Sequence, residues 1–296
     1  MSFFESLKTS SNMTEARLCS IVSELSDKSA ELLNDSVAYS VLGGGKRLRA
    51  FLVNQFCRLC GEKIEKSIDY ASAIEMIHAF SLIHDDLPAM DNDDMRRGKP
   101  SNHKAFGEAT AILAGDSLAL DAFAVAGRNK HCTRTQNAEA MILLSEKSGS
   151  IGMCAGQQFD IDGEGKKINL DELKRLVDLK TGALFSCACM LGCIAAKGDN
   201  EKLEAASRFG LLCGRAFQIT DDLLDIHSTT EDFGKTIGKD LDMQKSTFPS
   251  LLGEDGASDY AKKCIREAKK CLSVFDDSDV KKELKEFCDY ILIRKS

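Results

Sequence analysis

The chain has 296 residues, 43% hydrophobic and 29% charged, enough to bury a sizeable core as one large domain or two small ones. A net charge of -7 and a pI near 5.4 argue against nucleic acid or an anionic membrane surface as the main partner, so an anionic substrate would need local compensation. Met1 to Asn12 lack the basic start and apolar run of a secretory leader, and the longest uncharged apolar stretch, Ala183 to Ala196, is too short to cross a bilayer. A cytoplasmic protein without a membrane anchor is therefore expected.

Periodicity is helical nearly throughout, with three prolines and no convincing alternation of Val, Ile or Thr, so the fold class is all-α. Leu18, Ile21, Val22 and Leu25 predict a helix from Thr14 to about Leu33, and the run Val41 to Lys46 interrupts the pattern. A helix to about Cys60 follows, then one from about Ile64 to Asp86, broken by Pro88 and the polar stretch Asp91 to Lys104. Helices are expected at about 108–127 and 137–159, with a glycine-rich loop at Asp162 to Lys167. Asn169 with Glu172 resembles a capping signal for a long helix to about Ala196. The next helix runs from about Glu201 to Ile226, Ser228 to Lys245 reads as a polar loop and candidate lid, and two helices close the chain. No linker or strong repeat appears, so residues 1–296 read as a single domain.

The twelve cysteines read as small core residues of a reducing compartment. Cys57 and Cys60 form a CxxC pair, but no second pair or nearby His completes a zinc site.

Chemistry concentrates in two aspartate clusters, Asp85 to Asp91 (DDLPAMD) and Asp221 to Asp225 (DDLLD), both set in apolar helical sequence. Like charges ~4 Å apart repel by about 4 kcal/mol at an effective dielectric of ~20, so facing carboxylates must take up protons or gather cations. Asp221 and Asp225 share a helix face at about 6 Å, with Asp222 beside them. Oxygen-only ligands favour Mg²⁺, which keeps waters and bridges to phosphate.

Cations complete the pattern. Gly43 to Arg49 (GGGKRLR) places flexible backbone beside Lys46, Arg47 and Arg49 at a helix start, which suits a phosphate ligand. The segment lacks the spacing and hydroxyl of a nucleotide-binding P-loop. Arg96 and Arg97 follow the first acid cluster; Lys235 and Lys245 follow the second.

Together with Lys180-Thr181-Gly182, the run His78 to Gly98, Ala216 to Asp225, Gly234-Lys235 and Lys245 to Thr247, these motifs resemble the trans-isoprenyl diphosphate synthases in order and spacing, from about residue 40 to 250. The bacterial-type farnesyl diphosphate synthases are most similar. The resemblance implies an orthogonal helical bundle around a deep central cavity, a homodimer, and aspartate clusters facing across the cavity mouth. It implies three Mg²⁺ ions held by Asp85, Asp91 and Asp221, supported directly or through water by Asp86, Asp222 and Asp225. Arg96, Lys180, Lys235 and Lys245 would grip the allylic diphosphate. Gly45, Lys46, Arg49, His78 and Arg97 would hold isopentenyl diphosphate, while Thr181 and Gln218 would turn oxygen dipoles toward an allylic cation. Lys180, Thr181, Gln218 and Lys235 form the catalytic set. Neither His84 nor His103 has a partner implying general-base work.

In that family an aromatic at the fifth position before the first aspartate shortens the product; here it is Phe80, about 7.5 Å below Asp85 along the helix. Helical projection puts Ser81 more directly beneath Asp85. With the Pro88-Ala89 insertion, a fifteen-carbon farnesyl product is expected. Asn92 stands where relatives often carry Asp, and Arg294 and Lys295 resemble basic tails that close over the second substrate. Geranylgeranyl diphosphate synthase, a terpene cyclase and a non-catalytic subunit are the alternatives; complete acid clusters and the glycine-lysine-arginine segment disfavour the last two.

Overall fold

A computed structural model describes residues 2–227 and 246–294, and these are helical almost throughout. In chain order the elements are α1 (Phe3–Leu25), α2 (Glu31–Val41), α3 (Leu48–Leu59), α4 (Ile68–Asp85), the two-residue strands β1 (Met95–Arg96) and β2 (Lys99–Pro100), α5 (Asn102–Phe106), α6 (Glu108–Gly127), α7 (Arg134–Ser148), α8 (Met153–Asp162), α9 (Leu170–Val177), a π-helical turn (Asp178–Gly182), α10 (Ala183–Ala195), α11 (Asn200–His227), α12 (Phe248–Cys271) and α13 (Asp279–Ile293). The expected lid, Ser228 to Lys245, lies outside the described residues.

Local chemistry corrects two boundaries and bears out a third. The expected helix from Thr14 to Leu33 is two helices: α1 starts earlier, on a capping box between Ser2 and Glu5, and ends at a turn in which the Asp27 carboxylate accepts from the Ser29 N–H and hydroxyl. The helix expected at 137–159 divides into α7 and α8 around Gly149 and Gly152. A Cβ at Gly152 would fall 2.2 Å from the Lys147 carbonyl oxygen, so the chain can reverse there only with glycine. The Asn169–Glu172 capping box is present, and the long helix behind it carries the π-turn between α9 and α10.

The core forms where α10 packs against α3 and α11, while α4 packs against α6 and α3. Phe56 meets Phe209 and Phe275 edge to face, and Phe3 packs on Phe51, Phe287 and Tyr290, joining the first helix to the last. Close approach of α10 to α3 needs Gly192, whose Cβ would sit 2.3 Å from the Val53 carbonyl oxygen. Most of the cysteines are buried or half-buried core residues, but Cys19 and Cys154 are exposed.

Among the described residues, two segments are long and apolar enough to cross a membrane by length and composition, α6 and Leu170–Ala195. The second is 78% buried and serves as core. α6 leaves Ile112, Leu113 and Leu120 exposed.

Candidate active site

A cavity of about 710 Å³ opens between the C-terminal ends of α4 and α11, with α8 and the π-turn forming further walls. Both acid clusters line it: Asp85 and Asp91 on one side, Asp221, Asp222 and Asp225 on the other. Asp85 is the last residue of α4. After Pro88 breaks the helix, the chain folds back, and the N–H groups of Asp91 and Asp93 donate to the carbonyls of Asp85 and Asp86 at 2.9 and 3.2 Å. That return also sets Asp93 on the cavity wall, a residue the motif reading does not single out.

Electrostatics at Asp85 record the crowding. Burial, followed by the Asp91 charge, pushes its carboxyl up to about 6 although Lys180 and Arg96 pull the other way. Asp86 lies off this wall. Its buried carboxylate accepts from Arg96 Nε at 3.0 and 3.1 Å and from Arg96 Nη2, and Arg96 also stands 3.7 Å from Asp93. Asp86 therefore orients Arg96, which itself lines the cavity.

Across the cavity, a hydrogen-bonded chain fixes the α11 side. Thr181 Oγ1 donates to Gln218 Oε1 at 3.0 Å, and Gln218 Nε2 donates to Asp222 Oδ1 at 3.0 Å. The other Asp222 oxygen accepts from the Phe248 N–H at the start of α12. Asp221 pairs at 2.7 Å with Arg294, whose buried guanidinium lies 3.6 Å over the Phe217 ring and donates to the Phe217 carbonyl.

Lys180 projects from the π-turn, a distortion that often marks a functional position. Its ammonium donates to Asp160 at 2.6 Å. Burial acts to lower its pKa, but Asp160, Asp85 and Asp91 outweigh that and hold it charged. Asp160 and Gln157 belong to Gly156–Asp160 (GQQFD) of α8, which sequence reasoning passed over. A Cβ at Gly156 would fall 2.2 Å from the Lys180 backbone N, so α8 and the π-turn pack backbone to backbone. Gln157 Nε2 is buried and has no hydrogen-bond partner.

The second cationic group gathers behind the first acid wall. Gly44, Gly45 and Arg47 all have positive φ, at 82°, 119° and 50°. This twist sends Arg47 into the protein, where it pairs with Glu15 and Glu75 at 2.7 and 3.3 Å, so Arg47 is structural. Arg49 points into the cavity with its guanidinium 5.0 Å from the Phe185 ring; its Nε is buried without a partner, and burial pulls its pKa down to about 10. Arg97 sits on the turn joining β1 to β2, where it and Gly98 both have positive φ, as a type I′ hairpin requires. Its guanidinium donates to the Gly44 carbonyl and would lie 3.0 Å from a Cβ at Gly45, so only glycine fits there. His78 is kept neutral by burial and then by Arg49, Arg97, Arg47 and Arg96. A small pocket of about 40 Å³ beside the main cavity shares His78 and Arg96 with it and adds Arg97. Lys46 is exposed, 5.7 Å from the Tyr290 ring. Gly45, Lys46 and Arg97 thus stand beside the main cavity without lining it.

Of the length-setting candidates, Phe80 and Ser81 both line the cavity, and Ser81 donates to the His78 carbonyl at 2.9 Å. Lys235, Lys245 and Lys295 lie outside the described residues. Among the described residues no three His, Cys, Asp or Glu side chains converge to cage a metal by themselves. Two carboxylate walls across a gap fit instead an oxygen-liking ion that completes its shell with water and substrate.

A polyprenyl synthetase family model matches residues 30–287. The chain is 42% identical over 269 residues to a chloroplastic geranylgeranyl pyrophosphate synthase of Capsicum annuum, covering 90% of this chain and 73% of that one. It is 40% identical over 266 residues to a farnesyl diphosphate synthase of Bacillus subtilis, covering 88% of each. Among solved structures, a geranylgeranyl pyrophosphate synthetase from Pyrococcus horikoshii superposes with a TM-score of 0.89 at 28% identity, covering 99% of this chain and 98% of that one. An FPP/GFPP synthase from Zymomonas mobilis gives a TM-score of 0.86 at 33% identity, covering 98% of each. The helical bundle is thus the isoprenoid synthase fold, and the chain belongs to the polyprenyl synthetase family as a trans-prenyl diphosphate synthase.

Proposed function

We propose that this chain condenses isopentenyl diphosphate with dimethylallyl and then geranyl diphosphate to give (2E,6E)-farnesyl diphosphate. The observation that carries this reading is one cavity lined by two opposed acid clusters, by Lys180 and Arg96, and by Arg49. Asp85, Asp91 and Asp221, with Asp222 and Asp225, would hold Mg²⁺, three ions per site by family resemblance. When bound, these would neutralise the diphosphate and make it a better leaving group.

The chain's own residues account for the remaining steps. Lys180 and Arg96, joined by Lys235 and Lys245 from their motif positions, bind the allylic diphosphate and stabilise pyrophosphate as the C–O bond breaks with both electrons. Thr181 and Gln218, locked to each other and to Asp222, present oxygens to the allylic cation. Gly45, Lys46, Arg49, His78 and Arg97 hold the second diphosphate so that its double bond attacks the cation, and the proton then lost goes to the departing pyrophosphate. Phe80 forms the floor that stops growth at fifteen carbons.

The proposal extends to a single domain covering residues 1–296, a homodimer and a cytoplasmic location. Packing of Phe3 on Phe287 and Tyr290 supports the first, the exposed apolar face of α6 the second, and the use of thiols as core residues the third. A twenty-carbon product is the second reading, favoured by the 42% identity to the Capsicum annuum enzyme. Incubating purified protein with Mg²⁺, geranyl diphosphate and isopentenyl diphosphate, and chromatographing the products, separates these readings. A fifteen-carbon main product supports the proposal, a twenty-carbon one replaces it with the second reading, and no elongation overturns both.

A further inference from the structure

His84 stands one residue before Asp85 and lines the same cavity, yet none of the diphosphate or metal roles above employs it. Its ring meets Phe80, one helical turn deeper, edge to face with centroids 5.1 Å apart and planes at 84°. Nε2 lies 3.1 Å from the Ile112 carbonyl of α6. A carbonyl only accepts, so Nε2 carries the proton. Asp116 approaches the same nitrogen at 3.9 Å. The imidazole reaches α6 through a notch at Gly115, where a Cβ would fall 2.2 Å from Nε2 and 2.4 Å from Cδ2. Phe80 itself is half-buried at the cavity wall, and an aromatic on a helix has two accessible χ1 wells. His84, fastened to α6 by a hydrogen bond and a fitted slot, thus packs against the Phe80 ring from the C-terminal side of the helix.

We propose that His84 is a specificity-determining positioning residue: anchored in the Gly115 notch of α6, it holds the Phe80 ring across the path of the growing prenyl chain and so fixes product length. This rests on the assignment of Phe80 as the cavity floor. His84 acts through Phe80 and touches no reacting atom. Gly115 is the other half of the device, since any side chain there displaces the imidazole. The exposed Ile112 and Leu113 lie on the α6 segment that bears the notch, so the back of the length-setting wall adjoins the apolar face proposed for the dimer.

The test compares products of wild type, His84→Ala, Phe80→Ala and the double variant, each given Mg²⁺, geranyl diphosphate and excess isopentenyl diphosphate. The readout is the ratio of twenty-carbon and longer products to fifteen-carbon product. It is internal to each reaction and so independent of the active fraction of enzyme. His84→Ala should raise the ratio at least fivefold, and in the Phe80→Ala background it should add less than twofold, because the ring it positions is gone. An unchanged ratio in His84→Ala, or a full additional effect in the double variant, overturns the proposal. Should His84→Ala fail to fold, Gly115→Ala displaces the same ring and reads the same ratio with the same two outcomes. A wild type that makes mainly the twenty-carbon product would instead refute the farnesyl reading, and with it the floor on which this inference rests. A fifteen-carbon wild type with an unresponsive His84→Ala removes only this inference.

Discussion

Gly156→Ala measures how tightly Lys180 is held. In α8 the added methyl would fall 2.2 Å from the Lys180 N, 2.6 Å from its Cα and 2.7 Å from the Leu179 C, about 0.8–1.3 Å inside the ~3.5 Å optimum for such pairs. All three atoms are backbone, so no rotamer change relieves the clash; α8 and the π-turn must separate. Overpacking of this kind costs about 1–3 kcal/mol. The helical preference of Ala over Gly returns about 1 kcal/mol, leaving a net loss of about 0–2 kcal/mol. For 296 residues at about 2.1 cal/mol/K each, this lowers Tm by at most about 3 °C. The effect on chemistry is larger, because moving Lys180 and Thr181 by ~1 Å relative to both acid walls costs about 100-fold in turnover. Gly156→Ala should therefore remain folded by calorimetry while kcat falls about 100-fold. Gly256→Ala in α12, whose Cβ would meet only the Leu252 Cβ at 3.2 Å, is the propensity control. A Gly156→Ala enzyme with unchanged kcat and a raised Tm, matching that control, would show that α8 does not hold Lys180 in place.

Metal-free protein should lose stability as pH rises from about 4 to 6. The folded Asp85 keeps its proton to about 6 while the unfolded chain releases it near 3.8, a difference of up to about 3 kcal/mol that levels off above pH 6. Urea midpoints of wild type minus Asp85→Asn isolate this slope, and parallel profiles would refute it. Phe80→Ala should shift the main product from fifteen to twenty carbons or more, read by chromatography; an unaltered product refutes the floor assignment. Arg294→Gln removes the pair with Asp221 and the stack on Phe217, and should cost about 2 kcal/mol in a denaturation curve. In EDTA, isopentenyl diphosphate should still bind by calorimetry and geranyl diphosphate should not.

Fold class was legible because helical periodicity persists through nearly every segment, and the family was legible because several short motifs occur in one order. The breaks at Asp27–Ser29 and Gly149–Gly152 were not, since apolar spacing continues across them and only side-chain capping and close backbone approach end the helices. Motif position placed Arg47 beside Arg49 among the candidate phosphate ligands. The left-handed backbone at Gly44, Gly45 and Arg47 separates them, sending one to Glu75 and the other to the cavity. Asp86 and Arg96 likewise appear as two independent ligands in sequence and form one ion pair in the fold. Asp160 had no readable role because its meaning depends on α8 lying against a turn 20 residues downstream. The Gly156-Gln157 pair ahead of it was the available signal.

The placement of charge against the helix dipoles explains why one cavity needs two kinds of ligand. Asp85 is the last residue of α4 and Asp225 lies in the last turn of α11, at ends that already carry about half a negative charge. Arg49 is the second residue of α3, at an end that is already positive. Each placement costs about 0.3–1 kcal/mol, and the raised Asp85 carboxyl and lowered Arg49 guanidinium show the same stress from burial. A divalent ion at the α4 and α11 ends would relieve the acid walls, and a diphosphate at the α3 end would relieve Arg49 and the neighbouring Arg97. At the cationic end an anion would bind with the local field and need no helper. Between the acid walls an anion would meet Asp85, Asp91 and Asp225 as well as Lys180 and Arg96, so added cations would favour its binding there. On the proposed function, the allylic diphosphate would therefore be activated only where metal had gathered between the acid walls.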